Sequence, residues 1–140
     1  GSTIRTAKGA TDITLNQAGG FVNMPDMAIT FTPTESEVVV FFSAGGTYIG
    51  TATEGQFLEF RVTVNGTPVS GTGAACQVGG YNDFFGDSNN AWSGNLSNSI
   101  PVTPGVPTTI RIQWDFESSF NNTVANPVNT VGSRSLIIIE

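Results

Sequence analysis

The residue types best suited to chemistry gather in one stretch, Tyr81-Asn82-Asp83-Phe84-Phe85-Gly86-Asp87-Ser88-Asn89-Asn90-Ala91-Trp92. It holds four aromatics, two carboxylates and three asparagines, and Gly79, Gly80 and Gly86 give it loop character. Aromatic faces stack on sugar rings or other flat ligands, while Asp and Asn hydrogen-bond to hydroxyls. The candidate ligand-binding residues are Tyr81, Asp83, Phe84, Phe85, Asp87, Asn89, Asn90 and Trp92. A plainer reading has the same aromatics packing over the end of a core or against a neighbouring subunit. Asp83 and Asp87, with Asn89 and Asn90, also offer hard oxygen ligands to calcium, but two carboxylates without the EF-hand order make a weak site.

A second polar stretch runs from Asp115 to Thr123. Asp115 and Glu117 are two apart on an expected strand and so share a face. A glycosidase needs a carboxylate pair about 5–10 Å apart, yet two acids at a strand end usually form a solvated face. No other catalytic chemistry can be assembled. The chain has no histidine, which removes imidazole acid–base catalysis, His triads and His metal sites. Cys76 is the single cysteine; flanked by small residues and without a base, it reads as a small buried hydrophobe. The sequence implies no enzyme and no cofactor.

Composition narrows the partners. Five basic residues stand against eleven acidic ones, which argues against nucleic-acid binding through a basic face. Charged residues make up 11% of the chain, well below the roughly 25% of an ordinary domain. No apolar run reaches the ~18 residues of a membrane span. At 140 residues the chain suits one domain. Gly1-Ser2 reads as an expression scar, leaving residues 3–140 as a single domain expected to be the C-terminal module of a longer protein.

The elements that must position these residues follow a period of two. From Val106 to Phe116, the apolar Ile110, Ile112, Trp114 and Phe116 alternate with Thr109, Arg111, Gln113 and Asp115. Leu58, Phe60, Val62 and Val64 alternate with Glu59, Arg61 and Thr63, and the strand ends at Asn65-Gly66, a type I′ hairpin signal. Met27, Ile29 and Phe31 repeat the pattern. Val38 to Phe42 is apolar throughout, as in a strand covered on both faces. Ser93 to Val102 alternates weakly around Leu96 and Ile100. Short strands are expected at Ile4, at Ile13 with Leu15, and at Leu136–Ile139. No amphipathic helix is found. Eight to ten strands predict an all-β antiparallel sandwich, Greek-key or jelly roll.

Met24 to Phe42, Phe60 to Val69 and the closing Gly132-Ser133-Arg134-Ser135-Leu136-Ile137-Ile138-Ile139-Glu140 together resemble the C1q/TNF-like jelly-roll domains of bacteria and phages. Such domains form the heads of tail fibres, exosporium filaments and adhesins. The resemblance implies a ten-stranded jelly roll in a homotrimer. It places the last strand near the threefold axis, making Leu136, Ile137, Ile138 and Ile139 the expected trimer contact. Gly46-Thr47-Tyr48-Ile49 is a weak match to the Gly-x-Tyr element of eukaryotic C1q domains, and the sequence holds no collagen-like Gly-X-Y stretch. Independently, three consecutive isoleucines on a strand put apolar side chains on both faces; one face can enter the sandwich core, and the other needs cover from a partner or from the rest of this chain, as in a central strand buried by its own domain.

The function expected is a non-catalytic trimeric receptor-binding or adhesive head on a cell surface or virion. It would recognise a cell-surface glycan or protein through its loops, with no nucleic-acid partner and no membrane insertion. The alternatives are a structural trimerisation or capping module, and a monomeric carbohydrate-binding module of a larger enzyme.

Overall fold

The computed structural model describes residues 2–16, 20–50, 55–69, 75–81, 88–118 and 128–140. Among them are ten strands: β1 (Ile4–Lys8), β2 (Ile13–Asn16), β3 (Val22–Phe31), β4 (Glu37–Gly50), β5 (Gly55–Val64), β6 (Thr67–Pro68), β7 (Ala75–Tyr81), β8 (Ser88–Pro101), β9 (Thr108–Ser118) and β10 (Val128–Ile139). The first sheet runs β1–β10–β4–β8, with β2 also on β10; the second runs β3–β9–β5–β6, with β7 also on β5. Every pairing is antiparallel. From β3 onward the chain passes back and forth between the sheets, except that β5, β6 and β7 stay together in the second, and this is the winding of a jelly roll.

The period-two patterns decide which side chains meet. Leu58, Phe60 and Val62 of β5 and Ile110, Ile112 and Trp114 of β9 face inward, against Val38, Val40 and Phe42 of β4 and Leu136 and Ile138 of β10. Phe60 lies at the centre, with its ring 5.2 Å from Phe42, 5.6 Å from Trp92 and 6.5 Å from Trp114. The hairpin expected at Asn65-Gly66 is present, with φ of 49° and 84° as a type I′ turn requires.

Three features differ from the expectations. The apolar run of β4 is covered on one face only: Val38, Val40 and Phe42 are buried, Val39 is half-buried and Phe41 is exposed. Residues 75–81 form a strand that Gly79 and Gly80 obscure in the sequence, and β8 begins at Ser88, inside the stretch read as a loop. Strand β3 also changes phase. Met24 and Met27 are both buried although three apart, because the register against β9 shifts between Asn23 and Ala28 and Asp26 takes φ 66°.

Arg134 fixes that bulge. It is almost fully buried at a second register shift, in β10 between Val131 and Ser133. Its Nε donates to the Pro25 carbonyl at 3.0 Å, and its two terminal nitrogens donate to the Thr11 carbonyl and the Asp26 carboxylate at 2.7 Å each. Gly9 leaves room for this side chain; a Cβ there would fall against the guanidinium carbon. The guanidinium has no slack to yield, so Gly9→Ala is expected to lower stability by about 2 kcal/mol, read as a lower midpoint in thermal unfolding.

Candidate functional site

The outer face of the first sheet presents a surface with an unusual composition. Pairing registers set its residues in three rows. Ile4, Ile139, Val39 and Ser99 form the first, Thr6, Ile137, Phe41 and Ser97 the second, and Lys8, Ser135, Ser43 and Asn95 the third. Alternation along each strand sends these side chains outward while their neighbours enter the core. Ile4 is 65% exposed and Phe41 42%, whereas Ile137 and Ile139 are half-buried by the residues beside them. A shallow open depression of about 340 Å³ lies over Phe41, Ile137, Ser43, Ser135, Asn95 and Ser97. The Ser43 and Ser135 hydroxyls are hydrogen-bonded to each other at 3.1 Å across its floor. Lys8, at one corner, is the single charged residue in the twelve positions.

The closing strand therefore divides in two. Leu136 and Ile138 are fully buried inside the sandwich, and Ile137 and Ile139 face out. Of the four residues expected at a trimer contact, the outward pair joins Phe41, Val39 and Ile4 on this surface. The sequence alone places Phe41 and Ile4 on strands but not at this contact. Their signal was the register: Ile137 lies opposite Phe41, and Ile139 lies between Val39 and Ile4.

The candidate ligand residues are dispersed differently. Asp83, Phe84, Phe85 and Asp87 lie outside the described residues. Tyr81 ends β7 opposite Gly55, while Asn89 and Asn90 lie on β8 opposite Ile49 and Tyr48. Trp92 is a core residue, 6% exposed, against Phe60. It is thereby corrected from a ligand contact to an interior one. Its position follows from alternation, since Trp92, Leu96 and Ile100 share a parity and all face inward. Among the described residues, no group of three or more Asp, Glu, Cys or His side chains is placed to hold a metal; the calcium candidates Asp83 and Asp87 fall outside them.

Asp115 is also buried, 3% exposed, and one of its oxygens has no hydrogen-bond partner. The solvated face expected there is not what surrounds it. The strand ends that flank the two polar stretches come together. In the first sheet Gly50 pairs with Ser88, and Ile49 with Val128. In the second, Gly55 pairs with Tyr81, and Gln56 with Ser118. Gly50, Gly55, Tyr81, Ser88, Ser118 and Val128 thus mark one end of the sandwich.

No protein-family profile matches the chain, and no curated protein matches it. Solved structures do. The protein of infectious bursal disease virus in the Gx strain structure is 15% identical with a TM-score of 0.59, over 99% of this chain and 32% of that one. The Gt strain structure gives 14% and 0.56, over 98% and 33%. The T13 particle of the same virus gives 13% and 0.53, over 99% and 35%. The class that these likenesses and the strand order define is the jelly-roll sandwich. This chain spans about a third of each viral chain, and at such identity the likeness is one of fold.

Proposed function

We propose that this domain is a non-catalytic, self-associating jelly-roll head, working as a homotrimer outside the cell or on a virion. The apolar outer face of the first sheet carries the reading. A row of Ile4, Ile139 and Val39 beside Ile137 and Phe41 is costly to leave in water, and subunit contact is the usual means of covering such a face. The near absence of charge on it removes the ordinary obstacle to self-association. The jelly-roll likeness to proteins of a viral particle fits an assembly role, as does the resemblance to bacterial and phage heads.

The receptor in this reading is a cell-surface glycan or protein, recognised through the polar stretches 82–87 and 119–127, whose flanking residues Tyr81, Ser88, Ser118 and Val128 mark one end of the sandwich. Aromatics and amides in those stretches suit a ligand rich in hydroxyls. A capping module shares the same association face and has no ligand. A monomeric carbohydrate-binding module leaves that face open to water and is disfavoured for that reason.

Glycan-array and cell-binding assays separate head from cap. Phe85→Ala is expected to weaken binding about tenfold, on the scale of a lost aromatic contact, with the oligomer mass unchanged. An assembled protein that binds no glycan and no cell would support the cap.

A further inference from the structure

At the end of the sandwich opposite Tyr81, Ser88 and Val128, one carboxylate ties three segments together. Glu140 Oε2 accepts the backbone N–H of Thr34 at 2.6 Å and of Glu35 at 3.1 Å. Its Oε1 accepts from the Arg5 guanidinium at 3.3 Å. The backbone of Glu140 exchanges two hydrogen bonds of 2.9 Å with Thr3. Arg5 also lies over the Phe31 ring, 4.6 Å from its centroid. The Glu140 side chain is 5% exposed. It therefore joins β1, the turn at 34–36 and the end of β10.

The strand it holds is short and lightly packed. β1 has five residues and none is buried; Arg5 and Ala7 are half-buried and the rest exposed. It sits at the sheet's edge and pairs with β10 alone. An edge strand with little packing depends on its terminal ties. It also contributes Ile4, the most exposed of the large apolar side chains on the association face.

We propose that Glu140 is an acid-released latch on β1 and, through Ile4, on the association face of the first sheet. The second half of this inference rests on the assembly reading above; the first does not. A neutral carboxyl loses its charge-assisted bonds to two backbone amides and its attraction to Arg5. The groups around it are few. Arg5 faces it from β1, Glu35 lies on the turn, and Glu37 begins β4. With no histidine in the chain, acidification acts on carboxylates.

The sign follows from the contacts. The Glu35 amide holds the Glu140 carboxyl below its ordinary value of 4.5; burial opposes this, and the Thr34 amide and Arg5 add to it. A folded-state value below the unfolded one gives stability that is complete above 4.5 and is lost as pH falls through the lowered value.

Hydrogen exchange, expressed as protection factors and read with the solution mass at pH 7 and in steps down to about pH 2.5, tests the latch. In the unmodified protein, amides of Ile4–Lys8 are expected to lose about tenfold protection relative to Leu58–Val64 on acidification, with a fall in oligomer mass. Glu140→Gln is expected to show the loosened β1 already at pH 7 and little further change. Should Glu140→Gln fail to fold, Arg5→Gln supplies the second variant, with β1 partly loosened at pH 7 and an acid step remaining. Unchanged relative protection of β1 in the unmodified protein would overturn the latch. A single-chain mass at pH 7 would instead overturn the assembly reading, and the exchange of β1 would still decide the latch. An acid loss of β1 protection with no change in the mass of an oligomer would overturn the coupling through Ile4.

Discussion

Replacing Arg134 by methionine is expected to destabilise the domain by about 3 kcal/mol, on the scale of breaking a buried, hydrogen-bonded charge. Methionine fills part of the space but offers no donor to the Pro25 and Thr11 carbonyls that the guanidinium satisfies. The bulge in β3 and the approach to β2 then lose their common tie. Asp26 contributes less to the loss, because its side chain is 44% exposed and can return to water. Asp26→Asn is accordingly expected to cost about 1 kcal/mol, since asparagine still accepts from Arg134 and tolerates positive φ. Urea unfolding measures both as midpoint shifts at unchanged slope. Equal effects from the two substitutions would contradict the view that Arg134, rather than the ion pair, is the organising group.

Phe41→Glu and Ile137→Glu are expected to dissolve the assembly while leaving the fold intact. The two residues are directly opposite each other on β4 and β10, and Phe41 is already 42% exposed in the single chain. A carboxylate at either position places an unpaired charge in each copy of an uncharged interface, and repulsion with desolvation would weaken association about a hundredfold or more. Circular dichroism should be unchanged and the mass should fall to that of one chain. The control is Ser99→Glu, at the margin of the same face, where a charge stays hydrated and the effect should be small.

The legible parts of the sequence were those where apolar and polar residues alternate. Leu58 to Val64 and Ile110 to Trp114 reveal their inward faces directly, and Asn65-Gly66 announces its turn. Uniformly apolar runs hide the same information. Val38 to Phe42 and Leu136 to Ile139 read as strands, but alternation is invisible when every residue is apolar. Only register shows that Val39, Phe41, Ile137 and Ile139 share an open face. Arg134 was opaque for another reason. Its partners Thr11, Pro25 and Asp26 are far away in sequence, and the local Gly-Ser-Arg-Ser context says nothing of them. The one trace was Met24 and Met27, whose spacing of three breaks a period of two and marks the bulge. Trp92 was misplaced because its aromatic neighbours in the polar stretch outweighed its parity with Leu96 and Ile100.

The mass of the unmodified domain in solution, by light scattering at micromolar concentration and neutral pH, bears most directly on the association face. A mass three times that of the 14.6 kDa chain, reduced to one chain by Phe41→Glu, is the result expected. A single-chain mass for the unmodified protein, indistinguishable from that of Phe41→Glu, would contradict it.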